Sequence, residues 1–206
     1  MRSRIDTITA RAKGKATQIY AELLRSIDWK PPAHAVIKDA YSSYEAKYGS
    51  NPSINGRIFE YLICETLAQE GITPFYYQAR FAQVPNAAFD VVLYHPRRPV
   101  VLSVKVSLRE RYKQDVSEGK ALRQAYPLAE CYLVTLHHQE AARVSQKIAS
   151  GDVAGLKKCL CADKSDYTEL LEDLKQQRYE ETRAIVSTHG VCFGCPPMGA
   201  IGEGNG

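Results

Sequence analysis

Two short apolar runs, FDVVLY at 89–94 and VVLSVKVS at 100–107, are separated only by His95-Pro96-Arg97-Arg98-Pro99. So short a connection, with two prolines, leaves no room for a helical crossover, and the runs must pair as an antiparallel hairpin. The next apolar run, CYLVTL at 131–136, arrives only after a helical stretch over 109–125, with Leu108 and Leu122 toward the core. A strand entered through a helix lies parallel to one of its neighbours. Upstream, residues 73–83 (TPFYYQARFAQ) carry an aromatic, alternating strand signal, and residues 54–70 (INGRIFEYLICETLAQE) read as a helix ending at Gly71. The order helix, three strands, helix, strand predicts an α/β fold of the α+β type, an αβββαβ core whose mixed central sheet is flanked by helices.

Around this core the pattern is helical. Ile19, Leu23, Leu24 and Ile27 recur at helical spacing over 16–27 before Lys30-Pro31-Pro32 stops them. A second helix is expected over 34–48, and Ser53 or Asn55 is expected to cap the helix that follows the Gly49–Ser53 break. Helices are expected over 139–150 and, acidic, over 166–184. A chain of 206 residues is one domain's worth and needs neither disulfide nor metal to fold. The expected division is an N-terminal helical arm over 1–53, a core over 54–136, C-terminal helices over 137–189 and a flexible tail over 190–206. No apolar run reaches the ~18–20 residues of a membrane span, and the first residues form no signal-peptide apolar stretch. The reading is a cytoplasmic protein with no membrane contact.

Net charge is +4. Arg2, Arg4, Arg11, Lys13 and Lys15 stand against Asp6 alone in the first fifteen residues, so the arm carries the whole excess. A basic arm beside a neutral body suits a polyanion, although a solvated terminus would look the same. Cys64, Cys131, Cys159, Cys161, Cys192 and Cys195 read as reduced thiols. The last four could hold a structural zinc, but C-x-C spacing is a poor match to zinc knuckles and His189 is the only nearby histidine.

Three polar features intrude on apolar elements. Asp90 opens the strand FDVVLY, Ser103 and Lys105 share one side of VVLSVKVS, and Glu60 sits inside the helix 54–70. A lysine buried beside an aspartate is costly unless something uses it. An acid on one hairpin strand and a lysine on the other are the minimum for metal-assisted phosphodiester cleavage. The carboxylate holds Mg²⁺, a hard cation, and the lysine stabilises charge near the attacking water.

This D-x14-K arrangement on a helix–three-strand–helix–strand order resembles the PD-(D/E)XK nuclease superfamily, the restriction-endonuclease-like fold. The family's second acid, two residues before the lysine, is here Ser103. Type II restriction endonucleases that read CCGG or CCNGG sites have a displaced acid on the next helix, behind an Arg-Glu-Arg cluster. The segment KVSLRERYKQDVSE, Lys105 to Glu118, is similar to that K-x3-R-E-R-x6-E motif, and Glu60 matches the family's upstream glutamate. The resemblance covers residues 54–136. It implies that Asp90, Lys105, Glu118 and Glu60 are catalytic, that Asp90 and Glu118 bind Mg²⁺, and that Arg109, Glu110 and Arg111 read bases. It also implies double-stranded DNA as substrate, a homodimer on a palindrome, and a cognate DNA methyltransferase as genetic partner. Asp115 rivals Glu118, and Glu65 rivals Glu60.

Arginine forks match guanine O6 and N7, and a glutamate can accept from cytosine N4, so R-E-R suits a GG/CC step. The alternative is an exposed helix with local ion pairs. Trp29 is a candidate for stacking on an extruded base. Tyr41, Tyr44, Tyr48, Tyr76 and Tyr77 either line a groove or fill the core. His137-His138 reads as a polar strand end.

Overall fold

The computed structural model describes residues 14–187 and 192–193; the basic arm before Gly14, and Cys195, lie outside them. Six helices and seven strands follow in order: α1 Lys15–Leu24, α2 Ala33–Tyr48, α3 Pro52–Gln69, β1 Phe75–Phe81, β2 Phe89–Leu93, β3 Val100–Lys105, α4 Tyr112–Ala125, β4 Glu130–Thr135, α5 His138–Ala149, β5 Lys158–Cys161, α6 Ser165–Lys175, β6 Ile185–Ser187 and β7 Cys192–Phe193. They form one mixed sheet in the order β5-β4-β3-β2-β1-β6, with β7 also on β1. The hairpin β2–β3 is antiparallel, with Val91 opposite Leu102. β4 lies parallel to β3, with Lys105 opposite Thr135, and β5 parallel to β4. Among the described residues no helix is long and apolar enough to cross a membrane.

Both sheet faces are covered. Leu102, Val104, Val134 and Leu160 bury one face against α1, α2, α3 and α6. Val101, Leu133 and Cys159 bury the other against α4 and α5. Near-continuous burial of β2, β3 and β4 is what two covered faces demand.

Several boundaries differ from expectation. The cap of α3 is Asn51, whose side chain accepts from the Ser53 N–H at 3.0 Å, with Pro52 in the first turn. Asn55 is instead buried, accepting from the Tyr44 hydroxyl at 2.7 Å. The acidic helix ends at Lys175 rather than 184, and the chain crosses to the edge of β1 as β6. β5, KCLC, adds a strand that the sequence pattern does not announce, because four residues give too short a period to recognise. Helix α4 starts at Tyr112, not 109, which leaves Arg109, Glu110 and Arg111 on the preceding loop.

Candidate active site

The site is built on the β2–β3 hairpin. Asp90, 9% exposed, accepts at Oδ2 from the Val104 backbone N–H at 2.7 Å and from Lys105 Nζ at 2.8 Å. The backbone contact fixes the carboxylate's rotamer, so the lysine meets a preset oxygen. Gln78 Nε2 bridges Asp90 Oδ1 and Glu60 Oε2, each at 2.9 Å. Glu60 Oε2 also accepts from the Tyr77 hydroxyl at 2.5 Å and from Arg57 at 3.4 Å, and Arg57 bonds the Tyr77 hydroxyl in turn. Glu60, not Glu65, is therefore the α3 acid joined to the hairpin. Glu65 lies elsewhere in the core, held by Gln69 at 2.7 Å, and burial pushes its carboxyl up to about 7.

From the other face, α4 presents Asp115 and Glu118, both buried and one turn apart. Asp115 Oδ1 is 3.9 Å from Lys105 Nζ. Glu118 accepts from Gln114 at 2.8 Å and feels the charges of Asp115, Lys105 and Asp90. The helix can come this close because Gly119 lies against the Gly155 backbone: a Cβ at 119 would meet the Gly155 carbonyl at 2.4 Å.

Burial disfavours the charged form of these acids, and the site is short of cations. Burial and then the Asp90 charge raise the carboxyl pKa of Glu60. Burial likewise raises Asp115 and Glu118, although Lys105 and the Ser103 hydroxyl draw Asp115 back down. Burial lowers Lys105, but Asp90, Asp115 and Glu60 outweigh it and hold the ammonium above its usual range. The lysine is thus a cation at neutral pH.

A divalent cation fits the chemistry of this donor set. All the candidate ligands are carboxylate oxygens, and Asp115 Oδ2 is buried with no hydrogen-bond partner among the described residues. Asp90, Asp115, Glu118 and Glu60 do not offer three oxygens within 4.8 Å of one another. Lys105 and Gln78 bridge them in pairs instead. Mg²⁺ commonly takes one or two carboxylates and keeps several waters, so Asp90 with one acid from α4 suffices.

The loop between β3 and α4 carries Arg109, Glu110 and Arg111, all exposed. Arg109 has φ 43° and Gln78 φ 49°, the two non-glycine residues with positive φ among those described. Left-handed backbone at such residues costs energy and clusters at functional sites. Glu140 of α5 anchors the loop by accepting the Leu108 N–H at 2.6 Å. Glu110 pairs with Lys113, and the Arg111 charge reaches Asp115. A cleft of about 480 Å³ lies between the loop and α5, lined by Arg109, Tyr112, Arg143 and Lys147 among others.

Other candidates fall elsewhere. Trp29 is partly buried in the connection between α1 and α2. Tyr41, Tyr44, Tyr76 and Tyr77 are buried, so they fill the core rather than line a groove, with Tyr77 serving the site through its hydroxyl. Cys159 and Cys161 are buried in β5 as free thiols. Sequence reading missed Gln78 and Arg57. A glutamine in FYYQARF looks like ordinary strand alternation, and nothing local announces its backbone conformation.

No protein-family model matches the chain. No curated protein matches it either. Among solved structures, a Type III CRISPR defence DNA nuclease activated by cyclic oligoadenylate superposes with a TM-score of 0.31 at 18% identity. The match covers 61% of this chain and 21% of that one, so this chain spans about a fifth of that protein. A superposition at that level bears on neither the site nor the activity.

Proposed function

We propose that the protein is a Mg²⁺-dependent endonuclease of the PD-(D/E)XK type that cuts double-stranded DNA as a Type II restriction enzyme at a short palindrome containing CC and GG. The observation that carries this reading is the meeting of Asp90, Lys105 and the buried acids of α4 on a hairpin that runs directly into the exposed Arg109-Glu110-Arg111 loop. Asp90 and Glu118 would hold the cation, with Asp115 beside them and Glu60 as an outer acid. When bound, Mg²⁺ supplies charge neutralisation on the phosphate and a more acidic water.

The residues of the chain do the rest. Gln78 and the Val104 N–H hold the Asp90 carboxylate in place. Lys105, leaving Asp90 for the incoming phosphate, offsets negative charge as water adds to phosphorus and the phosphorus–oxygen bond of the leaving strand breaks. Arg109 and Arg111 would read guanines and Glu110, released from Lys113, a cytosine amino group. Arg143 and Lys147 at the neighbouring cleft suit backbone phosphates. A palindrome requires two such sites related by a two-fold axis, hence a homodimer, and a cognate methyltransferase to protect host sites in the cytoplasm.

The test is digestion of a plasmid of known sequence with Mg²⁺, followed by mapping of the ends. Discrete fragments ending at one CC/GG palindrome are expected. Cleavage at random or at DNA junctions would favour a repair nuclease of the same fold. Binding without metal-dependent cleavage would leave a DNA-binding module.

A further inference from the structure

Away from the hairpin, the parallel register of β4 and β5 sets Thr135 opposite Cys161. The chain leaving β4 therefore starts α5 beside the end of β5. Three unlike donors meet there. His138 Nε2, at the first residue of α5, lies 2.9 and 2.7 Å from the two carboxylate oxygens of Asp163. The Cys161 thiol completes a group whose ligand atoms all lie within 4.8 Å of one another. Cys161 is buried, the Asp163 side chain is 16% exposed and that of His138 50%, so the group meets solvent chiefly at the histidine.

An ordinary histidine–aspartate pair would need no thiol. Here a further acid stands close by, with Lys158 beside it and Lys164 beside the thiol as partial counter-charges. Asp166 sits close enough for its charge to act on Cys161, and its Oδ1 is buried with no hydrogen-bond partner among the described residues. One nitrogen, one sulfur and one oxygen donor match the borderline-soft preference of Zn²⁺, and the spread admits a tetrahedral ion after small rotations. Mg²⁺ and Ca²⁺ would not select a thiol.

We propose that His138, Cys161 and Asp163 form a zinc site with water as the fourth ligand, separate from the hairpin carboxylates. It ties the start of α5 to the β5–α6 turn. Because Glu140, two residues into α5, holds the Leu108 N–H, the ion also braces the loop that carries Arg109 to Arg111. The site does not depend on the nuclease reading.

Co²⁺ is the probe. The full chain, stripped by a chelator, is titrated with Co²⁺ and followed by absorbance. Binding of one equivalent is expected, with a sulfur-to-cobalt charge-transfer band in the near ultraviolet and tetrahedral visible bands that Zn²⁺ abolishes. Cys161→Ser should remove the charge-transfer band. His138→Gln, at a half-exposed side chain, and Asp163→Asn should each weaken binding at least ~10-fold, since even outer groups of metal sites have effects of that size. Cys159→Ser and the Cys192→Ser/Cys195→Ser pair should leave the band unchanged. A wild-type chain without the band, a band surviving Cys161→Ser, full affinity in His138→Gln, or loss of the band with the tail cysteines would each overturn the site.

Discussion

The two ends of the β3–β4 pair carry buried charge in opposite ways. At one end Glu130, opposite Val100, is closed off. Its Oε1 accepts from Arg98 Nε at 2.8 Å and Lys157 Nζ at 2.7 Å, and its Oε2 from the Tyr132 hydroxyl at 2.8 Å. Burial would raise its pKa, but Lys157, Arg98 and Tyr132 hold the carboxyl below its ordinary value. At the other end Lys105 serves Asp90 and Asp115 together, burial keeps Glu60, Asp115 and Glu118 above the usual range, and one carboxylate oxygen of Asp115 has no hydrogen-bond partner among the described residues. Charge of one kind is satisfied by the protein itself; the other is left for something to complete. Undercompensated acids in a preset geometry mark the hairpin end as the candidate site, and the closed ion cluster at the other end fits a structural role.

The largest expected effect breaks the open end alone. Asp90→Ala or Lys105→Ala should lower the rate of plasmid cleavage by 10²–10⁴-fold or more, the usual range for loss of a catalytic group. Binding to the cognate duplex, measured with Ca²⁺ in place of Mg²⁺, should persist, because neither side chain is expected to read a base. A variant cutting at more than about a hundredth of the parent rate removes that residue from the chemistry.

Next comes the choice of second acid. Glu118→Gln should reduce cleavage about as severely as Asp90→Ala if Glu118 completes the metal site, whereas Asp115→Asn should be milder. The geometry sharpens the contest, because Asp115 lies nearer Lys105 and owns the unmet oxygen. Single-turnover cleavage of both variants across a Mg²⁺ series decides it. An inactive Asp115→Asn beside an active Glu118→Gln would transfer the ligand role to Asp115.

The third effect acts on sequence discrimination. Arg109→Ala or Arg111→Ala should weaken cognate binding by at least ~10-fold in each half-site, as a bidentate guanine contact is worth about 1–3 kcal/mol. Non-specific binding should fall much less. Competition gel shifts with cognate and scrambled duplexes measure both. Equal losses would reduce the arginines to phosphate contacts, and no loss would return the loop to a solvated surface.

The hairpin was legible because two apolar runs joined by only five residues, two of them proline, leave one solution. Asp90, Lys105 and Glu60 were legible as polar residues in apolar elements. Asp115 and Glu118 could not be separated, since positions three apart share a helical face. The break before α4 was hidden because R-E-R suits a helix by propensity, and the positive φ of Arg109 belongs to the loop that Glu140 anchors. Nothing in the sequence singles out Glu130; its cationic partners come from the β2–β3 turn and the loop before β5, which no local pattern brings together.

The smallest effect tests the comparison by the sign of a slope. Glu130→Gln should leave cleavage unchanged and destabilise the fold by about 1–2 kcal/mol, since Arg98 and Lys157 are each nearly half exposed and can return to water. Because the folded pKa of Glu130 is depressed, its contribution is fully present above the unfolded carboxyl value of about 4.3 and is lost as pH falls through the folded value. The stability gap between parent and Glu130→Gln should therefore narrow toward acid pH. Asp115 has the opposite shift. Between its unfolded and raised folded pKa the native state binds the extra proton, so the parent loses stability as pH rises. Asp115→Asn should then be the more stable protein at neutral pH, with its advantage vanishing in acid, while its cleavage falls. Urea unfolding of all three proteins across this pH range measures both slopes. Parallel slopes for the two variants would mean that the two ends of the sheet do not differ in the way their charges are compensated.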